Sequence, residues 1–292
     1  MGVRPDMAIG NAAISACEKG RQWQLALAVL HITAKRGFQR DVISFNAAIS
    51  ACEKSIRWTM ALQVTEEMRA CGVLPDAVSF NAGISACEKG ETWPAALCLL
   101  SGMQKVRLPW RVVSVSAAIS AFGRASCWQQ AMHMLSEMQS ADLVPNEITY
   151  NSALTALERG CRWCQAVALF QEVWKHRRLL PSAVTYNTLL SGFEKTGQWK
   201  WALSLVASMK GIALLPTIVT MNAAASACEK GQRWEWSLQL LELMLSSGLR
   251  PDAVSCGAVL SACEKGQQWQ SALVLLRGLR CAVRPDSACY HA

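Results

Sequence analysis

The amino-acid sequence predicts an all-α fold, an α-solenoid of about eight 35-residue helix-turn-helix hairpins stacked in a row. Three observations carry this expectation. The block Asn46 to Lys54 recurs unchanged at Asn11 to Lys19, with one replacement at Asn81 to Lys89 (Gly83) and at Asn222 to Lys230 (Ala225), and in degraded form from Ser116, Asn151, Asn187 and Gly257. The step between copies is 35 residues, lengthening to 36 only before Asn187; self-similarity at such a period marks a stacked repeat protein. Inside each unit the apolar residues recur every three or four positions, and no stretch alternates as a half-buried strand would.

The unit Val42 to Asp76 illustrates the elements in order. Ser44 is the expected N-cap of a first helix whose apolar face carries Phe45, Ala48, Ile49 and Cys52. That helix should end near Ser55, where most other units have glycine (Gly20, Gly90, Gly160, Gly197, Gly231, Gly266) to supply a left-handed closing turn. A second helix follows with Trp58, Ala61, Leu62, Thr65 and Met68 on one face, and the Gly72 to Pro75 segment stops it. The unit boundaries fall at 7–41, 42–76, 77–111, 112–146, 147–182, 183–217, 218–252 and 253–286, within one array. The first six residues match the unit endings before Asp76 and Asp252, and residues 287–292 resemble the start of another unit, so the chain is expected to be a piece of a longer array without a targeting segment of its own.

Bulk composition narrows the partners. With 52% hydrophobic and 17% charged residues the chain is globular, and its net charge of +8 favours an anionic partner. No apolar run approaches the length that spans a bilayer. An odd count of 13 cysteines, several inside one helical block, suits a reducing compartment.

Columns through the units separate core from surface. Trp23, Trp58, Trp93, Trp128, Trp163, Trp199, Trp234 and Trp269 could form a stacking platform for bases, but their register with the inward stripe of the second helix assigns them to core packing, as for Met68, Met103, Met138, Met209 and Met244. The other face of the first helix carries a polar column: Asn11, Asn46, Asn81, Ser116, Asn151, Asn187, Asn222 and Gly257. One such asparagine would be a tolerated first-turn residue; six in register point to a recognition surface. Three positions earlier stand Ala8, Ile43, Val78, Val113, Ile148, Val184, Val219 and Val254, and eight positions later Lys19, Lys54, Lys89, Arg124, Arg159, Lys195, Lys230 and Lys265. An apolar contact, an amide for a base edge and a cation for phosphate in every unit describe a reader of single-stranded RNA. The adjoining glutamates (Glu18, Glu53, Glu88) also permit a plainer reading of the basic column, as solvated ion pairs.

The 35-residue period, the segment Val184 to Gly192 and the Gly248 to Asp252 ending resemble pentatricopeptide repeat proteins of the P type over nearly the whole chain. The resemblance implies a right-handed superhelix that binds single-stranded RNA, one base per unit, in organellar RNA processing, stabilisation or maturation in plastid or mitochondrion. It implies that each polar-column residue chooses its base together with the last residue of the unit. Asn11 with Asp41, Asn46 with Asp76 and Asn222 with Asp252 would prefer uracil, Ser116 with Asn146 adenine, and Asn151 with Ser182 cytosine. Asn187 with Thr217 would take a pyrimidine and Gly257 with Asp286 guanine. Asn81 has no clear partner, because its unit ends Leu108-Pro109-Trp110-Arg111 with the proline one place early. The residues Ile43, Val78, Val113, Ile148, Val184, Val219 and Val254 would sandwich bases, and the basic column would meet phosphates. Recruited processing or editing proteins are the other implied partners.

Enzyme chemistry is not expected. The histidines His31, His133, His176 and His291 are scattered, and Cys161 with Cys164 forms a lone CxxC, so no metal or cofactor is called for. No phosphate-cradling glycine loop or nucleophile elbow occurs, and neither a small-molecule substrate nor a membrane is implied. The alternative is a tetratricopeptide-like scaffold gripping a peptide. The varied unit endings (Asp41, Asn146, Ser182, Thr217) are harder to explain on that view.

Overall fold

The structure, a computed structural model, describes residues 7–175, 181–212 and 214–279. Among them every regular element is an α-helix. In chain order these are Met7–Lys19 (α1), Trp23–Lys35 (α2), Val42–Lys54 (α3), Trp58–Ala70 (α4), Ala77–Lys89 (α5), Trp93–Lys105 (α6), Val112–Arg124 (α7), Trp128–Ser140 (α8), Glu147–Arg159 (α9), Trp163–Lys175 (α10), Ala183–Thr196 (α11), Trp199–Gly211 (α12), Ile218–Lys230 (α13), Trp234–Ser246 (α14), Ala253–Lys265 (α15) and Trp269–Leu279 (α16). Each predicted unit is thus a helical hairpin, and the fold is an α-solenoid of such hairpins. None of these helices is long and apolar enough to cross a membrane.

The chain forms two compact units, residues 1–156 and 157–292. In the first, α1, α3, α5 and α7 pack in succession, and α2, α4 and α6 each pack on the first helix of their own hairpin and on that of the next. In the second, α11, α13 and α15 form the row, with α12 and α14 seated in the same way. A hairpin therefore buries its faces only against a neighbour, as expected of a solenoid. Phe45, Ala48, Ile49 and Cys52 of α3 are fully buried, with Ala61 and Met68 of α4. Tyr186, Leu190 and Met209 fill the equivalent places in the second unit.

The helix starts differ from expectation by three residues. The N-cap of α3 is Asp41, and Ser44 is the third helical residue. The Asp41 carboxylate accepts the Ser44 N–H at 2.8 Å, while the Ser44 hydroxyl accepts the Asp41 N–H at 3.1 Å. This reciprocal capping box recurs at Asp76 with Ser79, Thr217 with Thr220 and Asp252 with Ser255. Both residues can cap; the aspartate wins because its longer acceptor reaches the orphan amides from outside the first turn.

The closing turns also depart from expectation. Gly90, Gly231 and Gly266 have φ near −80° to −90°, so they are not the left-handed residues. The left-handed position comes one residue later, at Arg21, Ile56, Glu91, Ser126, Cys161, Gln232 and Gln267, and is glycine only at Gly197, where α11 runs one residue longer. The glycines answer a different demand. A Cβ on Gly90 would lie 2.2 Å from Trp58, and on Gly231 or Gly266 it would lie 2.4 Å from Trp199 or Trp234. The tryptophan of one hairpin is pressed under the end of the next hairpin's first helix. The tryptophan column is accordingly half-buried between hairpins, with Trp23 and Trp58 packed against the core cluster as expected, while Trp269, in the last described hairpin, is 67% exposed. The methionine column is core, as expected.

These two positions have opposite expected effects. Ile56 is β-branched and holds φ +57°, a conformation that costs an L-residue about 1–2 kcal/mol. Ile56→Gly should therefore raise stability by about 1 kcal/mol, whereas Gly231→Ala should lower it by about 1–3 kcal/mol through overpacking against Trp199. Urea unfolding of the two variants measures both signs.

Candidate nucleic-acid interface

The interface is built from the first turn of each first helix and the boundary residue that follows its hairpin. Helical spacing places the apolar residue three positions earlier next to the polar-column residue on one face. The predicted apolar column is strongly exposed: Ile43, Val78, Val113, Ile148, Val184, Val219 and Val254 are 56–66% accessible. An isolated exposed valine needs no explanation. Seven β-branched residues at the same register, four in the first unit and three in the second, are each left uncovered by the packing and give each unit a repeated apolar contact surface.

Each asparagine is half-buried beside this surface, and Asn11, Asn46, Asn81, Asn187 and Asn222 meet residues of the next hairpin. The Asn11 amide donates to the Asp41 carboxylate at 3.1 Å, Asn46 to Asp76 at 3.1 Å, and Asn222 to Asp252 at 3.1 Å. These three expected pairs, 30 positions apart, are thus in direct contact. The Ser116 hydroxyl connects to that of Thr149 at 2.6 Å, which in turn donates to the Asn146 side chain at 2.8 Å. Thr220 bridges Asn187 (2.8 Å) and Thr217 (2.9 Å). Asn151 is half-buried in the first turn of α9, and Ser182 is the N-cap of α11. Gly257 leaves open space where a side chain would stand, and Asp286 lies outside the described residues.

The third hairpin resolves a gap in the sequence reading. Its boundary residue is Arg111, the N-cap of α7, which makes no side-chain capping bond. The early Pro109 had obscured the register; the helix start at Val112 restores it, so Arg111 occupies the place that Asp76 holds beside Asn46. Asn81 itself accepts a hydrogen bond from Ser114 at 2.5 Å.

A second outcome concerns the varied boundary column. Asp41, Asp76, Asn146, Ser182, Thr217 and Asp252 all begin first helices, and Asp, Asn, Ser and Thr are the preferred N-cap residues. Capping alone accounts for that choice of side chains. Variety at this column therefore does not by itself separate an RNA reader from a peptide scaffold.

The basic column is engaged between hairpins. Lys54 pairs with Glu18 at 2.8 Å, Lys89 with Glu53 at 2.9 Å, Lys195 with Glu158 at 2.7 Å, Lys230 with Glu194 at 3.6 Å and Lys265 with Glu229 at 2.7 Å; Arg124 stands 4.0 Å from Glu88. Each partner belongs to the preceding unit. Ser85, Ser120, Ser191 and Ser261 donate to the same carboxylates. The six paired cations are still 37–46% exposed, and Lys19 and Arg159 are exposed. Such half-exposed pairs hold little energy, so the charges are available to a stronger anion.

The cysteines take no part in this surface. Cys161 and Cys164 are exposed and free, and no group of three or more metal-ligating side chains forms among the described residues. Burial pushes the thiols of Cys52 and Cys87 up to about 11 and that of Cys228 to about 12, which leaves them inert.

Comparison with known proteins bears on the repeats. Residues 28–89 match the pentatricopeptide repeat domain, 113–143 the PPR repeat and 181–230 the PPR repeat family. These three segments carry pentatricopeptide repeats. A search of the curated proteins finds no match. Among solved structures, the chain is similar to the pentatricopeptide repeat protein PPR10 in complex with an 18-nt psaJ RNA element, with TM-score 0.75 and 23% identity over 98% of this chain and 42% of that one. It is similar to PPR10 from maize, with TM-score 0.62 and 21% identity over 99% of this chain and 46% of that one. A third structure is the PPR domain of Arabidopsis thaliana protein-only RNase P 1 in complex with tRNA, with TM-score 0.53 and 16% identity over 61% of this chain and 94% of that domain. The chain spans less than half the length of PPR10.

The capped carboxylates carry an acid signature. Burial works to raise Asp41, Asp76 and Asp252, but the bonds from the capping serines and the asparagine amides outweigh it and hold all three below their ordinary 3.8. A depressed carboxylate stabilises the fold above its unfolded pKa and loses that contribution as pH falls through the folded value. The urea midpoint should therefore drop as pH falls below about 4, and a triple Asp41→Asn, Asp76→Asn, Asp252→Asn variant should show a shallower drop.

Proposed function

We propose that this pentatricopeptide repeat array binds single-stranded RNA sequence-selectively, one base per hairpin. The observation that carries the reading is the repeated exposed residue from Ile43 to Val254, three positions before a polar column in which Asn11, Asn46 and Asn222 already contact their boundary aspartates. A base inserted there would lie against the branched side chains with its edge toward the amide. The PPR10 structure is a complex with an 18-nt RNA element and that of the RNase P 1 PPR domain a complex with tRNA, which supports the same use of this fold.

On this reading Asn11, Asn46 and Asn222 with their aspartates take uracil. Ser116 with Asn146 takes adenine, Asn151 with Ser182 cytosine, Asn187 with Thr217 a pyrimidine, and Gly257 with Asp286 guanine. The basic column exchanges its glutamate partners for phosphates as RNA enters. The array acts by occupying a transcript in plastid or mitochondrion, in its stabilisation or maturation, with recruited proteins supplying any reaction.

The test is selection of bound RNA from a random pool, followed by titration of the enriched sequence. Affinity should fall with salt at a log–log slope of about −0.7 per phosphate contact. The double variant Asn151→Thr, Ser182→Asp should move the preference from cytosine to guanine at one nucleotide and leave the others unchanged. No enriched sequence together with a flat salt response would favour a peptide-binding scaffold.

A further inference from the structure

We infer that the buried serine or threonine at the third position of α5, α7, α13 and α15 is a positioning residue for base choice in the preceding hairpin. The inference rests on the RNA-binding reading and extends its two-residue pairing to three. The residues are Ser79, Ser114, Thr220 and Ser255, which are 0–1% exposed and cannot themselves touch RNA.

Their hydroxyls are aimed at the asparagine carbonyls of the hairpin before: Ser79 to Asn46 at 2.5 Å, Ser114 to Asn81 at 2.5 Å, Thr220 to Asn187 at 2.8 Å and Ser255 to Asn222 at 2.5 Å. The sequence separation is 33 residues each time. At Asn46 and Asn222 the amide is held at both ends, its oxygen by the serine and its nitrogen by the aspartate. An asparagine amide has two donors and two acceptor sites. The clamp uses one of each and leaves one of each for a ligand.

One bond would leave a pivot about which the amide could swing; the second removes it. This matters for base choice because uracil and cytosine present opposite donor and acceptor patterns at the same edge atoms. An amide free to turn offers either pattern and stops telling them apart. The same serine also takes part in the capping box, since Ser79 accepts the Asp76 N–H at 3.2 Å. One hydroxyl thus ties helix start, boundary carboxylate and amide together.

The experiment compares the full chain with its Ser79→Ala, Ser79→Thr and Ser255→Ala variants. Each is titrated with oligonucleotides from the enriched sequence carrying uracil or cytosine at the nucleotide that the Asn46 or Asn222 hairpin faces. Ser79→Ala should cut the uracil-to-cytosine ratio at its own nucleotide by about three- to tenfold, the scale of one hydrogen bond, with the ratio at the Asn222 nucleotide unchanged. Ser255→Ala should do the converse, and Ser79→Thr should keep the parental ratio. If Ser79→Ala unfolds, Ser255→Ala and Ser79→Cys, a near-isosteric weak donor, carry the same comparison. Unchanged ratios in the folded serine variants, or equal loss at both nucleotides, would overturn the positioning role while leaving RNA binding intact. A parent chain that binds no RNA would overturn both.

Discussion

The contact between the first helices of successive hairpins is the constraint on which the rest of the structure depends. A hairpin of two 13-residue helices has apolar surface on both sides of its first helix, and Phe45, Ile49 and Cys52 are fully buried only because the hairpins on either side close over them. The same contact brings the start of one helix against the first turn of the helix before it. The helix cap then becomes part of the interface, because Asp76 satisfies the orphan amides of α5 and also receives the Asn46 amide.

Much of this was legible in the sequence because the physics is periodic. Eight copies at one step specify the hairpins, the buried stripe around Phe45 and Met68, and the exposed column through Ile43 without any coordinates. What escaped was decided by neighbours far along the chain. A glycine at the end of a helix ordinarily signals a left-handed cap, and a local rule gave that reason for Gly90. The true demand comes from Trp58, 32 residues earlier, which needs the absence of a Cβ. The capping error was different: Asp41 and Ser44 are both competent caps, and only their reciprocal bonding shows which stands outside the helix. The 35-residue step puts the third unit's end at Arg111, but the early Pro109 left Asn81 without a clear partner until the start of α7 at Val112 showed that Arg111 holds the boundary place.

The charge column is organised by contacts that sequence adjacency does not show. Sequence adjacency suggested that Glu53 and Lys54 balance each other locally. In the fold Glu53 instead receives Lys89 and Ser85 from the next hairpin, so the acidic and basic columns form a ladder between hairpins. Half-exposed pairs of this kind contribute at most about 1 kcal/mol each. They hold the cations at regular intervals more than they stabilise the stack, which is compatible with their exchange for a polyanion.

The double duty of the boundary residue limits the alphabet available to such an array. A residue that must begin a helix is drawn from a short vocabulary of small side chains with an oxygen near the backbone, and Arg111 is the one described boundary residue with a carboxylate-free, cationic side chain. On the proposed RNA-binding reading, altering recognition at a hairpin is never separable from altering how firmly that hairpin is wound. Evolution or engineering that rewrites one letter must stay within the helix-starting set, or accept a looser joint at that point in the stack.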